Sequence, residues 1–436
     1  EQELGNDFQF RNANISFKLP LSFLGERELQ VTAGEQLLNW GVATIQLQDL
    51  NFINPPNLNN LNRPGAELWE TYNPVGLVHF KTDLSANLAL EGYYQYDWEP
   101  LELPPRGSYF SFFDIGTTQR PGDHFPGAFG KTPQDPGQRM RFANPLIRGI
   151  SDSSLSLLRS ENREPDDGGQ YGFNLRWHVP ELGSEGTQFG FIYANYHSRI
   201  PTASAYAAEA TCARREGNPN NRDSADANEF NADCQPDLAF ITTAVAEQNG
   251  FAVSSLPPTP GLIFPDYEPN PGRDALPVDT ARLFLEYPED IHLFGITAET
   301  VARNMIWQAG LSYRPNLPVQ VDAEDIGFAA LQPAFPRQEI VVSDGFPVVP
   351  GLAFPSATLP SSREAIPDFL TAYRGGTPGE VVPGSYIRGY ERLKVWSASL
   401  TVTRVMGEEA PLHADQLVLL AEAAAIHLPN LPGLDE

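Results

Sequence analysis

The chain lacks several features that would have placed it at once. No stretch of about 18 apolar residues occurs, so the sequence offers no transmembrane helix. Lysine is scarce, and 29 Lys and Arg stand against 55 Asp and Glu. The resulting net charge of −26 would repel a phosphate backbone and excludes a nucleic-acid partner. No G-x-S-x-G, H-E-x-x-H, Walker loop or G-x-G-x-x-G is present, so the local signatures of hydrolase, zinc peptidase and nucleotide chemistry are missing. The opening EQELGNDFQF has no signal-peptide pattern and reads as a mature or trimmed start. Cysteine occurs only at Cys212 and Cys234, which flank a polar loop. They read as a loop-closing disulfide of an oxidising compartment, with two unpaired thiols as the alternative. Two Cys with no His between them do not make a zinc site.

Aromatic residues, by contrast, reach 11% of the chain, with 15 Tyr and 26 Phe. The 40 Pro and 36 Gly would suit disorder, yet a hydrophobic content of 41% argues for a folded chain. The length of 436 residues suits two or three average domains or one large β structure. Alternation with a period of two decides for β. In NLALEGYYQYDW one face carries Leu88, Leu90, Gly92, Tyr94, Tyr96 and Trp98, and the other carries Asn87, Ala89, Glu91, Tyr93, Gln95 and Asp97. Tyr171–His178 and Trp307–Arg314 split in the same way. Strands of about ten residues match a tilted membrane crossing better than a globular sheet, and their aromatic ends suit interfacial girdles.

The spacing of the strands carries more weight. Strands are predicted at 12–23, 28–39, 72–82, 87–98, 170–179, 187–198, 290–300, 305–314, 390–405 and 416–428. The links then alternate strictly. Those at 24–27, 83–86, 180–186, 301–304 and 406–415 are short; those at 40–71, 99–169, 199–289 and 315–389 are long. Outer-membrane barrels sort their connections this way, with short periplasmic turns and long extracellular loops. The reading is an all-β, transmembrane, antiparallel up-and-down β-barrel forming a single domain over 1–436. Parity puts both chain ends outside, and a barrel must close. Strands are therefore expected to be missing at both ends, with at least twelve in the complete protein. The long loops read as folded. Loop 199–289 holds 14 acidic and 6 basic residues, a net −8, with 11 Pro. Within it 237–248 reads as a short helix, and Asp279 as the cap of a second carrying Arg282 and Glu286.

Several blocks in order resemble a family of proteobacterial outer-membrane barrels of unknown function: GEQLLNWG…INPPNLNNLNRPGAELWE, LALEGYYQYDWE, DDGGQYGFNLRW, FGFIYANYHSRIP, LEYPEDIHLFGIT and LSYRPNLPVQ. The resemblance implies a Gram-negative outer membrane, with the bilayer and lipopolysaccharide as surroundings. It further implies an RND-type inner-membrane transporter and a periplasmic lipid-binding protein as partners, and a hydrophobic or lipid-like small molecule as cargo. Where the family pattern has Asp, this chain has Asn57, which puts any function of that acid in doubt.

The candidate residues follow from this layout. Glu91, Gln95, Asp97, Arg176, His178, Gln308 and Arg314 face the lumen, either pairing across a narrow barrel or lining a water-filled route. His79, His178 and His197 read as girdle or lumen residues. Phe346, Val348, Leu352 and Phe354 form either a hydrophobic gate or a small satellite core between loops. Asp223, Asp226 and Asp233 offer hard oxygens to calcium, or form a solvated acidic loop; no other cofactor is expected. Loop 40–71 mixes Phe52, Leu58 and Leu61 with Asn54, Pro55 and Asn57. Asn54 or Asn57 is expected to cap a helical turn, and the loop to fold into the barrel mouth and constrict it. Together these features point to a non-enzymatic outer-membrane route for hydrophobic molecules. A diffusion porin, a scaffold or adhesin with a closed lumen, and an outer-membrane hydrolase are the alternatives.

Overall fold

The computed structural model describes residues 13–22, 27–42, 50–104, 124–126, 156–210, 280–337, 339–343, 347–349, 352–353, 357–359, 361, 364, 367–407, 415–429 and 431. Ten strands form one antiparallel meander, each paired with its chain neighbours. They are β1 Asn14–Leu21, β2 Arg27–Gln36, β3 Val75–Ser85, β4 Leu88–Gln95 and β5 Gln170–Val179. The series continues with β6 Thr187–Tyr196, β7 Ile291–Ala302, β8 Met305–Gln320, β9 Tyr390–Met406 and β10 Leu417–His427. All ten fall where alternation places them. The turn between β7 and β8 is two residues long: Arg303 and Asn304 both take positive φ, 55° and 57°, as a primed hairpin turn requires. Among the described residues no helix is long and apolar enough to cross a membrane.

The two faces of this sheet are the reverse of a soluble one. Phe173 on β5, Phe191 on β6, Phe294 and Ile296 on β7, Leu311 on β8 and Trp396 on β9 project outward, each more than 40% exposed. Ladder register aligns Phe173, Tyr193, Phe294, Tyr313 and Trp396 in one row across five strands. Neighbouring rings meet, tilted by 49° with centroids 5.2 Å apart for Tyr193–Phe294 and stacked at 4.4 Å for Tyr313–Trp396. Gly92 extends the row. It has no side chain, so the Phe80 ring lies over it and meets Phe173 at 6.2 Å. Nearer the short turns, Trp177 and Phe189 make a second contact at 5.9 Å. The inner face of the same strands carries Glu91, Asn174, Thr297, Ser312, Arg314, Ser397 and Thr401, all buried.

Three of the long links fold together rather than separately. A second sheet runs in the order Tyr386–Ile387, Thr202–Tyr206, Arg282–Glu286, Ser156–Arg159, His124–Pro126, drawing strands from 99–169, 199–289 and 315–389. Helix α2, Ala323–Leu331, is capped by Asp322 and buries Ile326, Ala329, Ala330 and Leu331; α3, Phe369–Tyr373, is capped by Asp368. The helix expected at Arg282–Glu286 is a strand instead. Alternation in RLFLE sets Phe284 and Glu286 on one face, and pairing with Thr202–Tyr206 satisfies a backbone that Pro288 keeps too short for a helix. β8 also outruns its expected end at Arg314. Pro315 has no N–H to pair, but a register shift between Arg314 and Leu317 takes up that gap, and the strand continues to Gln320. Trp98 does not join the outward row. β4 ends at Gln95, and Trp98 is buried edge-on against Tyr287, 4.9 Å away. The helix read at 237–248 lies outside the described residues.

Candidate functional site

The stretch after β2 turns back onto the inner face. Trp40, Leu50, Phe52 and Ile53 are buried with Val75, Leu77, Tyr93, Ile192, Ala194, Tyr196, Ile291 and Leu293 in one cluster. Tyr93 meets Trp40 edge-on at 5.2 Å, and Tyr196 meets Phe52 at 4.9 Å. Glycines make the floor. A methyl group on Gly295 would lie 2.5 Å from Leu50 Cδ2, one on Gly310 would lie 3.3 Å from Leu50 Cδ1, and one on Gly172 would lie 3.0 Å from the Trp40 ring. Side chains at these inward positions would occupy the space that Leu50 and Trp40 fill.

The asparagines that make this segment look like loose loop each have a structural role. Asn54, 3% exposed, accepts from Leu38 N at 2.8 Å and donates to Gln36 O at 2.9 Å and Asn73 O at 3.0 Å. It thereby ties the end of β2 to the lead into β3. Asn57, not Asn54, caps helix α1, Leu58–Leu61, by accepting from Asn60 N at 2.9 Å. Asn57, Asn59 and Asn73 all donate to the Glu102 carboxylate, at 2.5, 2.9 and 2.8 Å. An acid at position 57 would set two carboxylates against each other, so Asn suits this arrangement. Leu58 and Leu61 lie on the outer side of the turn, with Leu61 46% exposed.

Arg199 locks this segment from behind. It is 2% exposed and donates to Phe52 O at 3.3 Å, Glu99 O at 2.6 Å and Gln95 Oε1 at 2.8 Å. Burial pushes its guanidinium down to about 10, against the pull of Tyr93, Glu99 and Asp97. The Glu99 carboxyl is pushed up to about 7, first by burial and then by the neighbouring Asp97 and Glu35 charges. A buried cation and a half-neutralised acid therefore sit at the rim of the plug.

Below the plug the inner wall is polar. Glu91 accepts from Arg176 at 2.8 Å and pairs with Lys81 at 3.3 Å. Gln95 donates to Asp97 O at 2.5 Å, Gln308 donates to Glu299 at 3.0 Å, and Arg314 donates to Tyr196 OH at 2.9 Å and Ser312 Oγ at 3.0 Å. Most of these ties run between adjacent strands or along one strand, while Arg314 reaches past β7 to Tyr196 at the end of β6. His178 lies on the inner face of β5, opposite Gln188. His197 has both ring nitrogens engaged by backbone, Nε2 with Gly168 O at 2.8 Å and Nδ1 accepting from Asp290 N at 3.1 Å.

Among the described residues the wall also holds His79 Nε2, Asn174 Oδ1 and Trp40 Nε1, buried atoms with no hydrogen-bond partner. His79 was expected as a girdle or lumen residue and lies on the inner face, whereas sequence reasoning passed over Lys81, Asn174 and Arg199. The signal for Lys81 was present, since VGLVHFKTD alternates and sets it on the face of Leu77 and His79. Val348 and Leu352 lie in the paired short strands Pro347–Val349 and Leu352–Ala353. Phe346, Phe354, Cys212, Cys234, Asp223, Asp226 and Asp233 lie outside the described residues.

No curated protein and no solved structure matches the chain. A family model does: residues 1–436 match the family described as Protein of unknown function (DUF1302), and the chain belongs to it.

Proposed function

We propose that this chain is the membrane-crossing part of a Gram-negative outer-membrane barrel that gives hydrophobic or lipid-like small molecules a plugged route across that membrane. The observation that carries the membrane reading is the inverted sheet. Large aromatic and aliphatic side chains stand exposed on the outward face while charged and amide side chains are buried on the inner one. In water, that outward band would be an apolar patch of a size monomeric soluble proteins avoid; in hydrocarbon it is the favoured surface. A depression of about 460 Å³ between Phe173, Phe191, Phe294, Ile296, Leu311 and Trp396 is shaped for acyl chains.

Two features support a hydrophobic cargo. The segment that fills the inner face is itself apolar. The inner face of β10 presents Val418, Leu420 and Ile426 at 53, 41 and 62% exposure, a mostly apolar stripe in which Glu422 accepts from Thr401. The tight seat of the plug also favours the closed-lumen scaffold as a second reading. Reconstituted vesicles separate the readings. The route reading expects protein-dependent transfer of a lipophilic dye between leaflet-labelled vesicles with little swelling in sugars. Rapid sugar entry would establish a porin, and no transfer of either solute would leave the scaffold. A periplasmic lipid-binding protein and an RND-type transporter are the partners such a route would need.

A further inference from the structure

We propose that the inner wall beneath the plug binds the anionic headgroup of an amphiphile, a carboxylate or a phosphate. The inference deepens the route reading by naming the headgroup class of the cargo. It rests on that reading only for the claim that the anion carries a tail.

Lys81 is one of four lysines in the chain, and it faces inward on β3 directly opposite Glu91 on β4. Arg176, on β5, reaches the same carboxylate. Two cations therefore share one carboxylate whose side chain is 6% exposed, so this trio by itself carries one positive charge, which Asp83, two residues further along β3 on the same face, offsets. Lys81 and Arg176 keep 43 and 37% of their side-chain surface, and each uses only part of its donor capacity on Glu91. The Lys18–Glu28 pair, at 2.7 Å, and Asp83 lie on the same face nearer the short turns.

The unpartnered atoms fall beside this cluster. His79 is the next inward residue on β3, and Asn174 lies opposite Glu91 on β5. His79 Nε2 and Asn174 Oδ1 are buried without a hydrogen-bond partner, and Asn174 is 5% exposed. Buried polar atoms in folded proteins nearly always have partners, so two orphans beside two cations with unspent donors mark a place where a ligand supplies them. An oxyanion fits. It accepts from Lys81, from Arg176 and from His79 in its Nε2–H form. Asn174 accepts from a hydroxyl of the headgroup or, with its amide turned over, donates to the anion.

The test uses the folded protein in nanodiscs of a zwitterionic lipid, titrated with octanoate, octyl phosphate, butyrate and octanol. Saturable binding of octanoate or octyl phosphate, with octanol silent, is expected, and the tighter of the two assigns the anion. Lys81→Met and Arg176→Met each weaken binding at least tenfold, while Arg176→Lys retains most of it. Asn174→Leu supplies the stricter test. If the amide serves a ligand, this variant loses affinity with its unfolding temperature unchanged or raised. A lowered unfolding temperature with affinity intact would mean that the polar atoms serve the fold through water, and would overturn the proposal. So would binding equal in all variants, or octanol binding as well as octanoate. Butyrate binding without lipophilic transfer keeps the headgroup site and removes the route; transfer without anion binding does the reverse.

Discussion

Asn54 is the point at which the plug can be released without touching the barrel ladder. Its side chain makes three hydrogen bonds, at 2.8, 2.9 and 3.0 Å, to backbone groups of the β2 end and of Asn73. Asn54→Ala removes all three and leaves the partners in a region where water is scarce. At about 1 kcal/mol net for each bond, the plug loses ~3 kcal/mol relative to its undocked state. That is about a hundredfold rise in the open population. A cysteine at Ile53, 1% exposed in the docked state, reports that population through its rate of maleimide labelling in a background with Cys212 and Cys234 replaced by serine. Labelling of Ile53→Cys is expected to accelerate about a hundredfold when Asn54→Ala is added. A cysteine at Leu61, already 46% exposed, should be unaffected. Equal Ile53→Cys rates with and without Asn54→Ala would refute the reasoning, because they would mean that burial of Leu50, Phe52 and Ile53 alone holds the plug.

Three further outcomes follow from the same geometry. Glu99 has a carboxyl raised from the ordinary 4.5 to about 7, so the folded state holds its proton more tightly than the unfolded chain does. Its contribution to stability is therefore complete below 4.5 and is lost as pH climbs through about 7. Chemical unfolding followed by fluorescence should show stability falling across that window, and Glu99→Gln should flatten the fall. Arg199→Lys replaces a fork that spans Phe52 O, Glu99 O and Gln95 by a point charge that cannot reach all three, and is expected to weaken the plug by about 2 kcal/mol, read by the same labelling assay. On the outward face, Phe191→Arg or Ile296→Arg should cost about 2–4 kcal/mol in urea titrations of the membrane-inserted protein, whereas a lumen-side Thr297→Arg should cost much less. Equal costs on the two faces would remove the membrane assignment.

How much of this was legible in advance depends on whether the signal was local. Alternation over eight or more residues placed all ten strands, because inverted faces mark every second position with Phe, Tyr, Trp or Leu. The fate of the aromatic at a strand end was not legible. Trp98 continues the period of Leu88–Tyr96 in sequence, but β4 ends at Gln95, and a tertiary partner from a distant loop, Tyr287, claims it. Arg282–Glu286 failed for a related reason. An i,i+4 charge pair suits a helix in isolation, but its strand partners at 202–206 and 156–159 lie far away in sequence. The same holds for the plug. Leu50, Phe52 and Ile53 announced a need for burial, whereas what receives them, the inward glycines of β7 and β8, reads in sequence as weakness in two strands. Asn57 was one of the two caps expected, and it is the one used, since Leu58–Leu61 follows it directly. Glu102 as the shared acceptor of three asparagines was not within reach, because nothing local links it to them.

The glycine floor and the orphaned polar atoms below it bear on one question, whether the inner face is merely filled or is built to be vacated. A lumen that only needed filling could use large side chains from its own strands, as small barrels do. Here the wall instead carries glycine at positions 172, 295 and 310 and takes Trp40 and Leu50 from a separate segment. That segment is held by side-chain hydrogen bonds from Asn54 and Arg199 and by short backbone bridges of residues 55–58 to 71–73 and Glu102, not by a pairing with the main sheet's ladder. Contacts of this kind, each worth about 1 kcal/mol, can be undone singly without opening the sheet. Strand pairing by comparison is lost cooperatively. Beneath the plug, Lys81, Arg176, His79 and Asn174 keep donors and acceptors in reserve, and a sealed structural core would not leave them so. A detachable apolar plug above a wall with unspent donors is what the proposed route for an acid-headed amphiphile would use.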